Sequence, residues 1–232
     1  MNRDLSAEDI RKKHLNTLGP ELGPVYNALY NKCAWLHIKW QQYIELYGTK
    51  PERIDLLNRA AGLFFRVVQD SLWEDTLLHL TRLTGPPRSA GKDNLTVQRL
   101  PTLIADEKFR IEIQNLVKAA VDETVFAKDW RNRHIAHDDL ARAIKDPKAK
   151  VLAPASRKHV KDALRAVACI LERINEFYFN STMFFDHIIT TGDGAESLLF
   201  VIRDGVEAKE RSQQRRRDGK IEAEDMKLDR EI

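Results

Sequence analysis

Ten consecutive residues, Trp130-Arg131-Asn132-Arg133-His134-Ile135-Ala136-His137-Asp138-Asp139, hold most of the side chains in this sequence that could do chemistry. Three kinds of chemistry fit them. The first is a metal site built from His134 and His137 with Asp138 or Asp139, since positions i and i+3 share a helix face. A zinc site takes three or four ligands, however, and the sequence offers no second cluster with matching spacing; His187 would have to join through tertiary placement alone. The second is general acid–base work on a phosphodiester. Histidine titrates near neutral pH and can take a proton from a ribose 2′-hydroxyl or give one to a leaving oxygen. Arginine keeps its charge and holds a phosphate through two parallel hydrogen bonds, and asparagine can orient either group. That chemistry calls for no metal or cofactor, and its substrate is RNA, the polymer with the internal nucleophile. The third is structural: Arg131 and Arg133 pair with Asp138 and Asp139, and the histidines serve as polar groups at a helix end.

Geometry constrains the second reading. On a continuous α-helix Arg131 and His137 stand about 120° apart around the axis, whereas Arg133 and His137 share a face. Three arrangements resolve this: the helix ends near Ala136, the cleft is broad, or a second copy of the chain completes the site across a twofold axis.

The surroundings of the segment are basic. Residues 128–165 hold 11 Lys and Arg against 5 Asp and Glu, together with His134, His137 and His159. A solvated surface accounts for such a run; a polyanion site accounts for it around a histidine cluster. Over the whole chain the charge is only +3, too little to argue for nucleic acid by itself. Cys33 and Cys169 sit within apolar helical patterns and read as buried thiols in a reducing compartment. The first residues are charged and no run of eighteen apolar residues occurs, so neither a signal peptide nor a membrane span is expected, and the expected location is the cytoplasm.

The elements that must position the segment read as helices. Of 232 residues only 10 are glycine and 8 proline, and these cluster at a few points. Ser6 suits the N-cap of a helix over 5–18, and Gly19-Pro20 and Gly23-Pro24 punctuate. Leu29, Cys33, Leu36, Trp40, Tyr43 and Tyr47 then step by three and four along a helix from about Val25, which Gly48 stops. Pro51 opens the next helix, whose expected stripe is Leu57, Ala61, Phe64, Val68 and Leu72, turning polar at Asp75 and His79. Those two residues fit either a stripe reaching the surface or a polar patch of a site. Residues 85–91 read as a loop and 95–103 as a short connector. Phe109, Ile113, Leu116, Val117 and Ala120 mark a helix that breaks near Thr124 before the motif half, 125–136. An irregular stretch over 138–155 leads to Ser156, an N-cap for a helix buried along Val160, Leu164, Val167, Leu171, Ile174 and Phe177. The aromatic runs 177–179 and 183–185 suit a buried cluster better than a base-stacking platform. Residues 195–206 restart as a helix. From Arg203 onward nine basic and nine acidic residues follow with almost no apolar period, as in a solvated helix or a disordered tail. The expected organisation is therefore one all-α domain over 1–202, an antiparallel bundle of long helices, and a charged tail over 203–232.

Arg131-Asn132-Arg133-His134-Ile135-Ala136-His137-Asp138 resembles the signature of the HEPN superfamily, an arginine and a polar residue followed at a short spacing by a histidine; here five residues separate Arg131 from His137. The order of helices resembles the abortive-infection branch of that superfamily, and the likeness covers residues 25–202. It implies an all-α bundle, a homodimer with both motifs facing a shared cleft, and metal-independent RNA cleavage in a toxin or phage-defence role, with room for a cognate inhibitor protein. On that pattern Arg131 contacts phosphate, His137 acts as base or acid, and Asn132 supports them. Arg133 and His134 fall within the variable spacer and, with Lys158, are expected to bind RNA phosphate. The alternative the resemblance allows is a non-catalytic module that binds RNA, a nucleotide or a protein partner through the same basic surface.

Overall fold

The structure is a computed structural model, and it describes residues 6–187, 192–223 and 225. Leu5, the His187 side chain and most of the chain after 223 lie outside those residues. The fold is all-α, as expected. Two compact units emerge, one from residues 1–39 with 73–188 and the other from 40–72 with 189–232.

Helix α1 (Ala7–Tyr47) begins at Ser6, whose hydroxyl accepts the Asp9 N–H at 3.2 Å while the Asp9 carboxylate accepts the Ser6 N–H and hydroxyl. Those bonds hold the Asp9 carboxyl below its ordinary range. The sequence suggests two breaks here, but there is one. Gly19 takes φ 77°, a left-handed conformation open to glycine, and the helix restarts at Pro20 rather than at Val25. Gly23 is what lets the two pieces pass: a Cβ there would lie 3.0 Å from the Leu15 Cα. The expected stripe from Leu29 to Tyr47 is buried throughout.

The first unit is built on the early part of that stripe. Helix α2 (Pro51–Thr84) contributes Leu77, Leu80 and Leu83 to the unit's core, and α3 (Glu107–Glu123) packs on α6 (Arg157–Phe179) through Phe109, Ile113, Val117 and the face from Val160 to Ile174. Ser156 caps α6 by accepting the His159 N–H. Tyr26 donates its hydroxyl to the Leu171 carbonyl at 3.2 Å, tying α1 to α6. Phe177, expected inside, is 44% exposed; it stacks on Phe109 at 3.9 Å, and Arg173 covers the other side of that pair. At the end of α2 the orphan carbonyls of Leu83, Thr84 and Gly85 are taken up by Thr96 and Gln98 at the head of a 3-10 helix, Val97–Leu103. The stretch read as a loop holds a small hairpin, β1 (Arg88–Ser89) and β2 (Lys92–Asp93), joined by Ala90 and Gly91, both with positive φ.

In the second unit the α2 stripe differs from expectation. Ala61 leaves the helical region (φ −161°, ψ 67°), which adds one residue to the repeat. Phe65 is buried beside Leu57, whereas Phe64 is 62% exposed and Ala61 is exposed too. Tyr47 donates to the Phe65 carbonyl at 2.8 Å. Helix α7 (Ala195–Arg217) starts without a side-chain cap from Gly194, and the Gln42 side chain accepts the Ala195 N–H at 2.6 Å instead. The helix continues through the change of composition at 203, held in part by Arg59 on Glu210 at 2.6 Å.

His37, in the first unit, is a half-buried polar group with a cost to folding. Burial pushes its imidazole down to about 4, against the pull of Asp186 and a hydrogen bond to the Leu164 backbone, and its Nε2 is buried without a partner among the described residues. The unfolded chain takes a proton at about 6.5 and the folded chain resists until about 4. Stability is therefore full above pH 6.5 and falls as pH drops toward 4, by up to about 3 kcal/mol from this group. Urea unfolding between pH 7.5 and 4.5 is expected to show a larger loss for the native chain than for His37→Leu; equal slopes would remove His37 as the cause.

Candidate functional site

Thr124 ends α3: its hydroxyl reaches back to the Ala120 and Val121 carbonyls and meets the Thr84 hydroxyl at 2.8 Å. Helix α4 (Val125–Trp130) follows, and the motif itself winds as a π-helix over Arg131–Ile135. The Ala136 N–H reaches back five residues to the Arg131 carbonyl at 2.8 Å. Such wide turns recur at functional sites. The helix ends there, which is one of the arrangements the Arg131–His137 spacing requires. His137 then lies in irregular chain, and α5 (Leu140–Ala143) adds a single turn capped by Asp139.

Arg133 and Asp129 fasten this region. The Arg133 guanidinium donates to both oxygens of Asp129 at 2.7 and 2.5 Å, and to the carbonyls of Lys150 and Val151 at 2.7 and 2.9 Å. Asp129 also accepts the Ala153 N–H at 2.8 Å, and Trp130 donates to the Ala153 carbonyl at 2.8 Å. The Arg133 bond, more than any other contact, holds the Asp129 carboxyl below its ordinary range. Arg133 thus faces inward, with four hydrogen bonds to the scaffold. Its acid is Asp129, not the Asp138 or Asp139 of the structural reading.

His134 is also built in. Arg142 donates to its Nδ1 at 2.6 Å, and an arginine cannot accept, so the ring proton sits on Nε2, 3.4 Å from Glu74. Arg142 donates as well to the Arg133 carbonyl and to the Asp138 carboxylate. A chain of contacts thereby runs from α2 through His134 and Arg142 to Asp138, the neighbour of His137.

Arg131, Asn132 and His137 stand exposed. Arg131 donates to the Asn132 side-chain oxygen at 3.0 Å, and no ion pair to it occurs among the described residues. Lys158, at the start of α6, is exposed and paired with Asp162 at 2.6 Å, a contact that raises its affinity for a proton. Neither Lys158 nor His137 lines the cleft that Arg131 borders. That cleft has a volume of about 860 Å³ and is also lined by Lys32, His79, Arg82 and Lys128, with no Asp or Glu in its wall among the described residues. Lys32 has no signal in the sequence, since its place beside the motif depends on how α1 crosses the unit; Arg82 and His79 share the helix end already singled out at Asp75 and His79. Among the described residues no three His, Cys, Asp or Glu side chains group as a metal site would need, and no helix is long and apolar enough to cross a membrane.

The profile of the AbiU2 family of HEPN proteins matches residues 19–195. The chain belongs to the AbiU2 family of HEPN proteins. That membership places it in the abortive-infection branch of the superfamily. No curated protein and no solved structure matches it.

Within this AbiU2-family chain, Asp129→Ala is expected to unfasten residues 150–153 from the motif. The amide of Ala153 should lose protection in hydrogen exchange while α6 keeps its own, and Tm should fall by roughly 3–8 °C. Unchanged exchange at Ala153 would show that Asp129 holds nothing.

Proposed function

We propose that the chain is a metal-independent endoribonuclease that works as a homodimer, in keeping with an abortive-infection role. The observation that carries this reading is the division of labour inside the motif. Arg133 and His134 are engaged with the scaffold, while Arg131 and His137 are left exposed at the two ends of the π-turn.

The chemistry follows from those two groups. The Arg131 guanidinium, oriented by Asn132, holds the non-bridging oxygens of the scissile phosphate and offsets the charge that builds on them. His137 takes the proton of the 2′-hydroxyl, whose oxygen attacks the adjacent phosphorus. The P–O5′ bond breaks, and the 5′-oxygen leaves with a proton from an imidazolium, the partner's His137. The products are a 2′,3′-cyclic phosphate and a 5′-hydroxyl. One protomer supplies a single His137 to a reaction that needs a base and an acid, which favours the twofold pair. Exposed apolar side chains near the motif and outside the cleft, Leu140, Ile144 and Val151, suit burial against a second copy.

Purified protein incubated with single-stranded RNA in excess EDTA is expected to cut it. His137→Ala should lower the rate by roughly 10²–10⁴-fold and Arg131→Ala by a similar factor, with folding and assembly unchanged. Wild type that binds RNA but never cuts it would leave the non-catalytic binding module as the function.

A further inference from the structure

Lys32, Arg82, Lys128 and Arg131 come from α1, α2, α4 and the π-turn, and all four line one cleft. Elsewhere on the chain cations are commonly paired: Lys39 with Asp75, Arg142 with Asp138, Arg165 with Glu172, Arg173 with Glu112. These four have no ion-pair partner among the described residues, and no carboxylate lines the cleft. Like charges brought together without counter-charges repel one another, so the arrangement suits an anion that arrives from outside.

His79 is held in the same wall. Its Nδ1 lies 3.1 Å from the Asp75 carboxylate and 2.9 Å from the Asp75 carbonyl, both acceptors, so the proton of the neutral ring sits on Nδ1. The other Asp75 oxygen accepts from Lys39 at 2.6 Å. Nε2 is left to accept a hydrogen bond, from a ribose hydroxyl or a base N–H. Leu95 and Val125, both exposed, give the cleft apolar wall against which a base can lie.

We infer that this cleft is the track for single-stranded RNA beside the phosphate held at Arg131. Lys32, Arg82 and Lys128 share the phosphates on either side of the one at Arg131, and His79 takes a sugar or base edge. The inference rests on the nuclease reading for the polarity of the track, not for its occupant. Cations spread over four elements suit the repeating charge of a strand better than the single cluster of a free phosphate. About 860 Å³ matches the space that holds a drug-sized ligand, the scale of one or two nucleotides, and is too small for a duplex. Because Arg131 lines the same cleft, a strand seated on the other three cations is continuous with the site of cutting.

The test is binding of a fluorescent single-stranded 12-nucleotide RNA to the full chain carrying His137→Ala, so that nothing is cut. Lys32 and Arg82 are exposed and have no ion-pair partner among the described residues, so Lys32→Ala/Arg82→Ala should keep the native circular dichroism. The double substitution is expected to weaken binding about tenfold at 100 mM salt and to reduce the slope of log K against log salt by roughly 1.4. Lys118→Ala, an exposed lysine on α3 outside the cleft, should change neither. The track is overturned if the double variant binds with the parent's affinity and slope, or if the parent binds no RNA. It is also overturned if the double substitution spares RNA but abolishes binding of a free nucleotide, with ATP as the probe. A wild type that never cuts, with the binding result as expected, removes the nuclease and leaves the track.

Discussion

The Asp129 carboxylate is the point on which the site depends. Three donors converge on it, two from Arg133 and one from the Ala153 backbone. A carboxylate this well bonded stays charged, and losing one partner would strand the others in a half-buried place. What it holds is otherwise weak. The stretch from Asp138 to Ala155 has one turn of α-helix and few buried side chains, so its course beside the motif is set by side-chain to backbone bonds rather than by a core. The wide turn at Arg131–Ile135 also gives up regular α-helical bonding. Arg133 offsets that cost by tying the turn to Lys150 and Val151.

Charge is sorted by placement rather than by amount. With 38 basic and 35 acidic residues the chain is close to balance, and an even distribution would leave no strong field anywhere. The helices instead pair their charges along their own faces and between neighbours, and keep acids out of one cleft. In a concave wall of low dielectric the same few cations act more strongly than on a flat surface. Arg131, without an ion-pair partner among the described residues, belongs to that wall, so the local field and the motif serve the same end.

The motif and the helical frame were legible in the sequence because both follow from short-range rules. Spacing of three and four marked Leu29 to Tyr47 and Val160 to Ile174, and the caps at Ser6 and Ser156 were plain. Where backbone conformation broke the repeat, the reading failed. Ala61 inserts a residue and turns Phe65 inward in place of Phe64, and nothing about an alanine announces that. The hairpin turn asks for positive φ at Ala90, a residue with no preference for it. Within the motif, composition drew attention to five candidates, Arg131, Asn132, Arg133, His134 and His137, but could not tell exposed from engaged. That distinction came from Asp129 and Arg142, which lie on either side of it. Lys32 could not be found at all, because about a hundred residues separate it from Arg131.

The two compact units are interleaved along the chain, and this bears on how the protein is made. The second unit is begun by residues 40–72 and finished only by residues after 188, with the whole motif between them. On the ribosome, Tyr43, Leu57 and Phe65 emerge early and wait for α7 before their unit can close. The first unit, by contrast, has every one of its pieces once residue 188 has been synthesised. The catalytic candidates therefore reach a folded setting while part of the chain is still being translated, and neither unit corresponds to a fragment that could be cut out as one continuous piece.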